Sequence, residues 1–254
     1  MTNRLDTAAA TNLGLRAALV TGATSGIGWH LALQLADAGV RVVALGRNRH
    51  KLAELSRLKP CILALEADLA DVNSLPGLAM RIGAAAPELN CVIHNAGIQH
   101  NVRVDDEGYD LRAIEEELDT NLLAPIALTR ALLPALQSRE RSWIVHVSSG
   151  LAYAPKRTSA VYSASKAALH LFGAGLRLQL RGTSVRVLEA VMPLVDTPMT
   201  LGRGRRKLAA DEAAAALLAG LSLPGGVFHI GQARALPILR RVAPGLLARL
   251  MSAG

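Results

Sequence analysis

Tyr162 and Lys166, a phenol and an ammonium four residues apart, form the pair in this sequence best suited to proton chemistry. Residues four apart on a helix share a face. Because a neighbouring cation favours phenolate over phenol, we predict that Lys166 lowers the pKa of Tyr162 towards the range for proton exchange with an alcohol or carbonyl. Tyr-x-x-x-Lys alone is a weak signal. Ser149 strengthens it, since this hydroxyl follows a predicted strand 13 residues upstream and is placed to reach the same substrate oxygen.

A glycine-rich turn lies between the first predicted strand and the first predicted helix. It runs from Thr21 to Gly28, with glycines at positions 22, 26 and 28. Glycines let the backbone approach a pyrophosphate, and a helix N-terminus offers it unpaired N–H donors. The Gly-x-x-x-Gly-x-Gly spacing is a variant of the usual dinucleotide fingerprint, and a purely structural turn is the alternative interpretation. Its placement between strand and helix favours cofactor binding.

The end of the second predicted strand indicates which nucleotide would bind. About 20 residues after such a turn, NAD-binding folds place an acid that holds the ribose hydroxyls. Here Gly46 stands in that place and Arg47 follows it. An arginine is a bidentate partner for a 2′-phosphate, and no carboxylate would repel it. The sequence therefore favours NADP(H) over NAD(H), the alternative being that Arg47 only solvates a loop.

Short apolar runs alternate with helical patterns along the chain. Buried apolar strands separated by helices indicate a parallel sheet covered by helices on both faces, and right-handed crossovers make it a doubly wound α/β fold. We expect one domain over 1–254, flexible at 1–14, with a variable substrate loop and helix at about 194–225. Strands are predicted at 17–20, 40–45, 61–65, 89–94, 143–147, 185–190 and 227–230, and helices at 27–38, 51–58, 72–86, 111–137 and 159–181.

Composition and charge narrow the class of protein. With 51% hydrophobic and 19% charged residues among 254, the chain can bury a sizeable core, which argues against disorder. The net charge of +8 is concentrated at 47–51 and 203–207. Aromatic residues are not interleaved with these clusters, so we predict no nucleic-acid partner. For 203–207 we favour a mobile solvated loop, with recruitment of an anionic substrate as the alternative.

Several features bear on compartment and partners. Cys61 and Cys91 lack ligand spacing and are predicted to be buried thiols, and the scattered histidines predict no metal site. Neither a signal peptide nor an apolar segment of transmembrane length is evident, so we expect a cytoplasmic protein. The amphipathic pattern at 236–250 is interrupted at Pro244-Gly245. For it we favour packing on its own domain or a partner subunit over contact with a membrane surface.

The order and spacing of the motifs resemble the short-chain dehydrogenase/reductase family over nearly the whole chain, and a DltE-like subgroup within it. The resemblance implies a Rossmann fold and hydride transfer between NADP(H) and a small-molecule carbonyl or alcohol, in a homodimer or homotetramer. A non-catalytic NADP(H)-binding regulator is the alternative function. The matching features are Thr21 to Gly28, Asp68-Leu69, Asn95-Ala96-Gly97, Asn121, Ser148-Ser149, Tyr162-x-x-x-Lys166, and Pro193 followed by Thr197.

The resemblance also implies roles for single residues. Tyr162 would be the catalytic acid or base and Ser149 would orient the substrate oxygen. Lys166 would bind the nicotinamide ribose while tuning Tyr162, and Asn121 would support a water-linked proton path. The implied cofactor-binding residues are Gly22, Thr24, Ser25, Gly26, Ile27, Gly28, Arg47, Asp68, Leu69, Asn95, Ala96, Gly97, Tyr162, Lys166, Pro193, Val195 and Thr197.

Two positions depart from the family pattern. His94 stands where the family often has an asparagine, and Leu194 follows Pro193 where glycine is usual. We predict that His94 affects strand-end packing, with a role beneath the cofactor as the alternative, and that Leu194 reshapes the nicotinamide pocket. Ser148 competes with Ser149 as the substrate hydroxyl, but we favour a structural role for it.

Overall fold

Seven strands form a single parallel sheet in the computed structural model, which describes residues 5–204 and 206–252. The strands are β1 (Ala17–Thr21), β2 (Arg41–Gly46), β3 (Ile62–Glu66), β4 (Leu89–His94), β5 (Ser142–Ser149), β6 (Val185–Met192) and β7 (Val227–His229). Their order across the sheet is β3-β2-β1-β4-β5-β6-β7. The order reverses between β1 and β4, and ligands of such sheets bind beyond the strand ends at this point.

Helices cover both faces of the sheet, which confirms the predicted doubly wound α/β fold. The helices are α1 (Thr7–Leu13), α2 (Gly26–Asp37), α3 (Arg49–Leu58), α4 (Leu75–Ala85), α5 (Leu111–Leu118), α6 (Ala124–Gln137), α7 (Ala160–Gln179), α8 (Ala210–Gly220), α9 (Leu236–Val242) and α10 (Pro244–Ser252). Alternate residues of a strand point to opposite faces. Accordingly, Ala18 and Val20 of β1 join a core cluster with α2 and α8, whereas Ala17 and Leu19 join a second cluster with α4, α6 and α7.

The helical stretch predicted at 111–137 is not one uniform helix. A π-helical turn, Asp119–Leu123, separates α5 from α6, and Pro125 follows it in the first turn of α6. Proline has no amide hydrogen to donate to the preceding turn, so the regular hydrogen-bond ladder is interrupted here. Such turns often occur at functional sites, and this one carries Asn121.

Two local features bear on the predictions. Within the stretch 1–14 that was predicted to be flexible, 7–13 form α1, whose first turn is capped by the Asp6 carboxylate accepting from the Ala9 amide at 2.7 Å. The flexibility of this stretch stays a prediction. Ala10 is buried against the core, which explains why the helix is held. Residues 1–4 lie outside the described part of the chain. Cys61 is exposed rather than buried, because it precedes the edge strand β3, whereas Cys91 in central β4 is buried as predicted.

The C-terminal amphipathic pattern packs on its own domain. Leu236 of α9 and Leu247 of α10 are buried in a small cluster with Val191 of β6. None of the helices within 5–204 and 206–252 has both the length and the apolar composition needed to cross a bilayer.

Candidate active site

A cleft of about 760 Å³ opens at the carboxyl ends of the strands. It brings the glycine turn and the Ser149, Tyr162 and Lys166 side chains into one cavity. These three residues lie more than 120 residues after the turn in the chain. Of the predicted site residues, only Gly28 and Asn121 do not line it. Those that line it are Gly22, Thr24, Ser25, Gly26, Ile27, Arg47, Asp68, Leu69, Asn95, Ala96, Gly97, Ser149, Tyr162, Lys166, Pro193, Val195 and Thr197.

The glycine turn is shaped by close backbone approaches. Gly22 has φ +65°, and a Cβ there would lie 2.8 Å from Cα of Ala96. A Cβ on Gly28 would overlap the carbonyl oxygen of Gly22, so glycine at this position allows α2 to pack closely against the turn. Gly28 itself does not line the cleft. The hydroxyl of Thr21 accepts the amide N–H groups of Asn95 and Ala96, each at 3.0 Å. The ends of β1 and β4 are thereby fixed beside each other.

The loop after β6 lies against this turn. A Cβ on Gly26 would be 2.8 Å from Cγ2 of Thr197, so glycine is required where the loop crosses the start of α2. Thr197 is held by Thr200, whose hydroxyl accepts the Thr197 amide N–H at 3.2 Å. Leu194 lines the cleft and packs on Gly204, where a Cβ would overlap it. Its effect on the nicotinamide pocket stays a prediction.

Tyr162 is 8% exposed and lies near Ser149 and Lys166. Burial raises the pKa of Tyr162 to about 12, while a hydrogen bond with Ser149 and the charge of Arg203 act in the opposite direction. The prediction of a net lowering by Lys166 is therefore wrong. The ammonium lies 5.7 Å from the centroid of the Tyr162 ring, and desolvation of the phenolate outweighs the favourable interactions.

Lys166 is 4% exposed and donates a 3.0 Å hydrogen bond to the carbonyl oxygen of Val147 at the end of β5. Burial lowers the pKa of Lys166 to about 8, against an upward effect of the Glu189 carboxylate. A lysine with such a pKa changes its charge near neutral pH, which suits a group that influences a proton transfer.

Asn121 is fully buried and holds the loop that follows β4. Its amide oxygen accepts the Ile98 N–H at 2.8 Å, and its amide nitrogen donates to the Ile98 carbonyl at 2.8 Å and to the Ser165 hydroxyl at 3.2 Å. A Cβ on Gly97 would lie 3.1 Å from the Asn121 oxygen. Asn121 therefore joins α7 to the cleft loop, and its part in a water-linked proton path stays a prediction.

The two serines at the end of β5 differ in their surroundings. The Ser149 hydroxyl oxygen accepts the Leu151 N–H at 3.2 Å, which leaves its hydrogen to donate elsewhere. Ser148 also lines the cleft, but its hydroxyl is buried with no hydrogen-bond partner among the described residues. A buried polar atom without a hydrogen-bond partner is uncommon in a folded chain. No hydrogen bond of the Ser148 side chain therefore supports its predicted structural role.

Arg47 lies at the other end of the cleft from Tyr162, just beyond β2. Its guanidinium is 3.0 Å from the Glu116 carboxylate and 3.5 Å from that of Asp68. The hydrogen bond with Glu116 is the main reason that the pKa of Arg47 is raised. The predicted phosphate ligand thus has two acidic neighbours, which the sequence pattern did not indicate.

His94 has the contacts of a packed strand residue. Its Nε2 lies 2.9 Å from the Thr129 hydroxyl, and its ring stacks on His146 with centroids 5.4 Å apart. Burial lowers the pKa of His94 to about 3, so the ring is neutral at ordinary pH. It does not line the cleft.

The cleft also contains residues that sequence reasoning did not assign to the site. Lys156 and Gln99 line it near Tyr162, as does Arg203 of the 203–207 cluster, of which Arg205 lies outside the described residues. The side chains of α9 and α10 that line it are Leu236, Leu239, Leu247, Leu250 and Met251. Their amphipathic pattern was visible in the sequence, but no motif links that pattern to a cleft formed by distant segments.

The sequence model of the short chain dehydrogenase family matches residues 16–207. The uncharacterized oxidoreductase DltE of Bacillus subtilis is 38% identical over 179 residues, 70% of this chain and 71% of that protein. The uncharacterized short-chain type dehydrogenase/reductase y4eK of Sinorhizobium fredii is 38% identical over 181 residues, 71% of this chain and 70% of that protein.

Solved structures resemble the whole fold. A short-chain dehydrogenase from Burkholderia cenocepacia in complex with NADP superposes with a TM-score of 0.83 at 31% identity, covering 94% of this chain and 98% of that one. A short-chain dehydrogenase from Sphingobium yanoikuyae in complex with NADPH superposes with a TM-score of 0.78 at 26% identity, covering 92% and 96%.

Proposed function

This chain belongs to the short-chain dehydrogenase/reductase family, and from that membership we propose that it is an NADPH-dependent enzyme interconverting a small-molecule carbonyl and the corresponding alcohol. The observation that carries the proposal is the shared cleft, in which Ser149, Tyr162 and Lys166 face the same cavity as the glycine turn.

The residues of the cleft fit a dinucleotide. Gly22, Ser25 and Gly26 line the cleft where α2 begins. A helix N-terminus presents unpaired backbone N–H groups, which suit a pyrophosphate. NADPH, when bound, supplies the hydride. The NADP and NADPH complexes of the two structural neighbours support the choice of cofactor.

Tyr162 would give its proton to the carbonyl oxygen during reduction and accept one during alcohol oxidation. A phenol whose pKa is about 12 is protonated at neutral pH, which is the form that donates. Ser149, whose oxygen accepts the Leu151 N–H, would donate its hydroxyl hydrogen to the same substrate oxygen, where negative charge develops. Lys166 would provide a positive charge beside the ring that stabilises the phenolate once the proton has left.

Preference for NADPH over NADH rests on Gly46 and Arg47. No carboxylate stands at position 46 to accept the ribose hydroxyls, and Arg47 lines this end of the cleft. A 2′-phosphate would compete with Glu116 and Asp68 for the guanidinium. Assembly into a homodimer or homotetramer and a cytoplasmic location stay predictions.

Replacing the phenol hydroxyl tests the proposal. For Tyr162→Phe we expect the rate of aldehyde reduction to fall by about 100-fold or more, because removal of a general acid typically lowers the rate by this factor. The Kd for NADPH should be unchanged. Tyr153→Phe is the matched control, because the Tyr153 ring packs on His170 and does not line the cleft. NADPH consumption would be followed with a panel of aldehydes and ketones.

Two results would contradict the proposal. Full activity of Tyr162→Phe would remove the assigned acid. Tight NADPH binding by the wild type without turnover of any aldehyde, ketone or alcohol would favour the non-catalytic NADP(H)-binding regulator instead.

A further inference from the structure

We infer, resting on the proposed function, that the substrate joins its carbonyl or alcohol to an oxyanion group, a carboxylate or a phosphate ester, through an apolar body, and that Lys156 and Arg203 bind this anion. Both cations line the same cleft as Tyr162. The Lys156 amide N–H donates to the hydroxyl of Ser163, the residue after Tyr162, at 3.4 Å, and the charge of Arg203 acts on Tyr162 itself. The family motifs include neither of them.

Lys156 and Arg203 are partly buried cations whose described partners are neutral. Lys156 Nζ donates to the Asn101 side-chain oxygen at 2.9 Å. Arg203 donates to the Gln99 side-chain oxygen at 2.8 Å and to the Met199 carbonyl. Lys207 of the same loop, by contrast, pairs with the Asp196 carboxylate at 3.1 Å.

Charges that lose water without gaining an opposite charge reduce stability. No carboxylate within 5–204 and 206–252 forms an ion pair with Lys156 or Arg203. Two such cations lining one cleft are therefore suited to receive an anion from outside the chain.

The charge of Arg203 acts on both Lys156 and the Tyr162 phenol. Burial lowers the pKa of Lys156, and the charge of Arg203 lowers it further. The Arg203 charge also opposes the rise in the pKa of Tyr162. Arg203 is thus electrostatically coupled to both side chains, and an anion bound to it would lie in the same part of the cleft as the oxygen that Tyr162 protonates. Glu117 also acts on Tyr162, but it is fully buried and does not line the cleft.

Glu117 is already satisfied within the chain. Its two carboxylate oxygens accept the Tyr109 hydroxyl at 2.9 Å and the His100 amide N–H at 3.3 Å. Glu117 therefore has its own donors. Besides Lys166, which donates to the Val147 carbonyl oxygen, Lys156 and Arg203 are the described cations that line the cleft with Tyr162.

Apolar side chains also form a large part of the lining. Large apolar side chains come from the β5 end, the loop after β6 and the two C-terminal helices, and a Cβ on Gly150 would lie 3.0 Å from Leu236 and 3.3 Å from Met251. Exposed apolar groups that line a cavity indicate an apolar ligand surface. The apolar lining residues used here are Leu151, Leu194, Met199, Leu239, Leu250 and Met251.

Binding to the enzyme saturated with NADP⁺ tests the inference independently of turnover, because the saturated nucleotide site cannot take the probe. The probes are hexanoate, octanoate and decanoate, each against its primary amide, with decyl phosphate against decanol. Titration calorimetry would give each Kd. A charge-assisted hydrogen bond predicts at least about tenfold tighter binding of an oxyanion than of its neutral counterpart. The carboxylate and phosphate arms distinguish the two anions.

Three variants locate the effect. Arg203→Met and Lys156→Met should each reduce the preference for the oxyanion to within about twofold. Arg206→Met is the matched control, since it removes one exposed positive charge from the same loop and should leave the preference unchanged. An unchanged Kd for NADP⁺ in every variant establishes that the chain is folded.

Equal binding of oxyanion and neutral probes at every length would overturn the inference, as would a preference that survives both Arg203→Met and Lys156→Met. Neither result touches the proposed function, whose failure is read from the absence of NADPH-dependent turnover. In the active enzyme, an ω-oxo acid should be reduced with at least a tenfold higher kcat/KM than its methyl ester.

Discussion

The ammonium of Lys166 lies 3.0 Å from the carbonyl oxygen of Val147, and the side chain is 4% exposed. No described carboxylate forms an ion pair with it. Burial lowers the pKa of Lys166 from an ordinary value of 10.5 to about 8. The folded chain therefore holds this charge at a cost in stability, as active sites often do.

Lys166→Met should stabilise the protein while removing activity. A lowering of this size corresponds to roughly 1–3 kcal/mol at pH 7, which methionine would restore. Urea unfolding would measure the free energy and NADPH consumption the activity, for which we expect at least a ~100-fold loss. Between pH 8 and 10.5 the unfolded chain binds more protons at Lys166 than the folded chain, so the stability of the wild type rises with pH. The difference in unfolding free energy between Lys166→Met and the wild type therefore shrinks over this range. A variant less stable than wild type at pH 7 would contradict this account.

Arg47 should discriminate between nucleotides through the balance with its acidic neighbours. Arg47→Ala is expected to weaken NADPH binding by about 10- to 100-fold and leave NADH within twofold, because only NADPH carries the 2′-phosphate. Glu116→Gln should tighten NADPH by up to about fivefold, since half-exposed ion pairs contribute at most about 1 kcal/mol. Fluorescence titration would give each Kd.

Arg49→Ala is the control for Arg47, because Arg49 is exposed, lies 3.8 Å from Glu66 and does not line the cleft. An NADPH preference unchanged by Arg47→Ala would discard the phosphate role.

Gly28→Ala should damage the nucleotide turn. Its new methyl group would overlap the Gly22 carbonyl and lie 2.5 Å from the Asn95 side-chain nitrogen, so both must move. We expect destabilisation by about 1–3 kcal/mol, as for other overpacked sites, and at least tenfold weaker NADPH binding. Gly83→Ala in α4 is the matched control, since no atom lies within 4 Å of its added Cβ. It should stabilise the helix by about 0.5–1 kcal/mol. Equal effects of the two changes would refute the close-approach argument.

His146 should make the fold sensitive to acid. Both of its ring nitrogens are buried without a partner among the described residues, and burial holds its pKa well below the ordinary value of 6.5. Below pH 6.5 the unfolded chain therefore binds more protons, and stability falls by up to about 1.4 kcal/mol per pH unit for this one group. His146→Leu should flatten the slope of unfolding free energy between pH 6.5 and 4.5, whereas His50→Leu on the surface should not. Identical slopes in the two variants would exclude His146 as the source.

Much of the site was readable from local sequence. The glycine turn, Arg47, Ser149, Tyr162 and Lys166 each lie where a strand ends or a helix begins. Strand and helix periodicity follows from which neighbours along the chain are apolar, and parallel strands bring their carboxyl ends to one edge. The alternating pattern was therefore sufficient to predict that these residues meet.

Only the tertiary structure determined the protonation states in the site, the ion pairs of its charged groups and the residues that line the cleft around them. The pKa of Tyr162 rises because residues from distant segments exclude water from its side chain. Arg47 forms an ion pair with Glu116, which is 69 residues away in the chain. Lys156 and Arg203, which are 47 residues apart in the chain, line one cleft only because the fold brings their loops together. Desolvation and ion pairing depend on distances in space, which spacing along the chain does not determine. The sequence thus indicated the candidate reacting groups and the elements that carry them, while folding determined their protonation, their partners and the apolar lining of the cleft beside them.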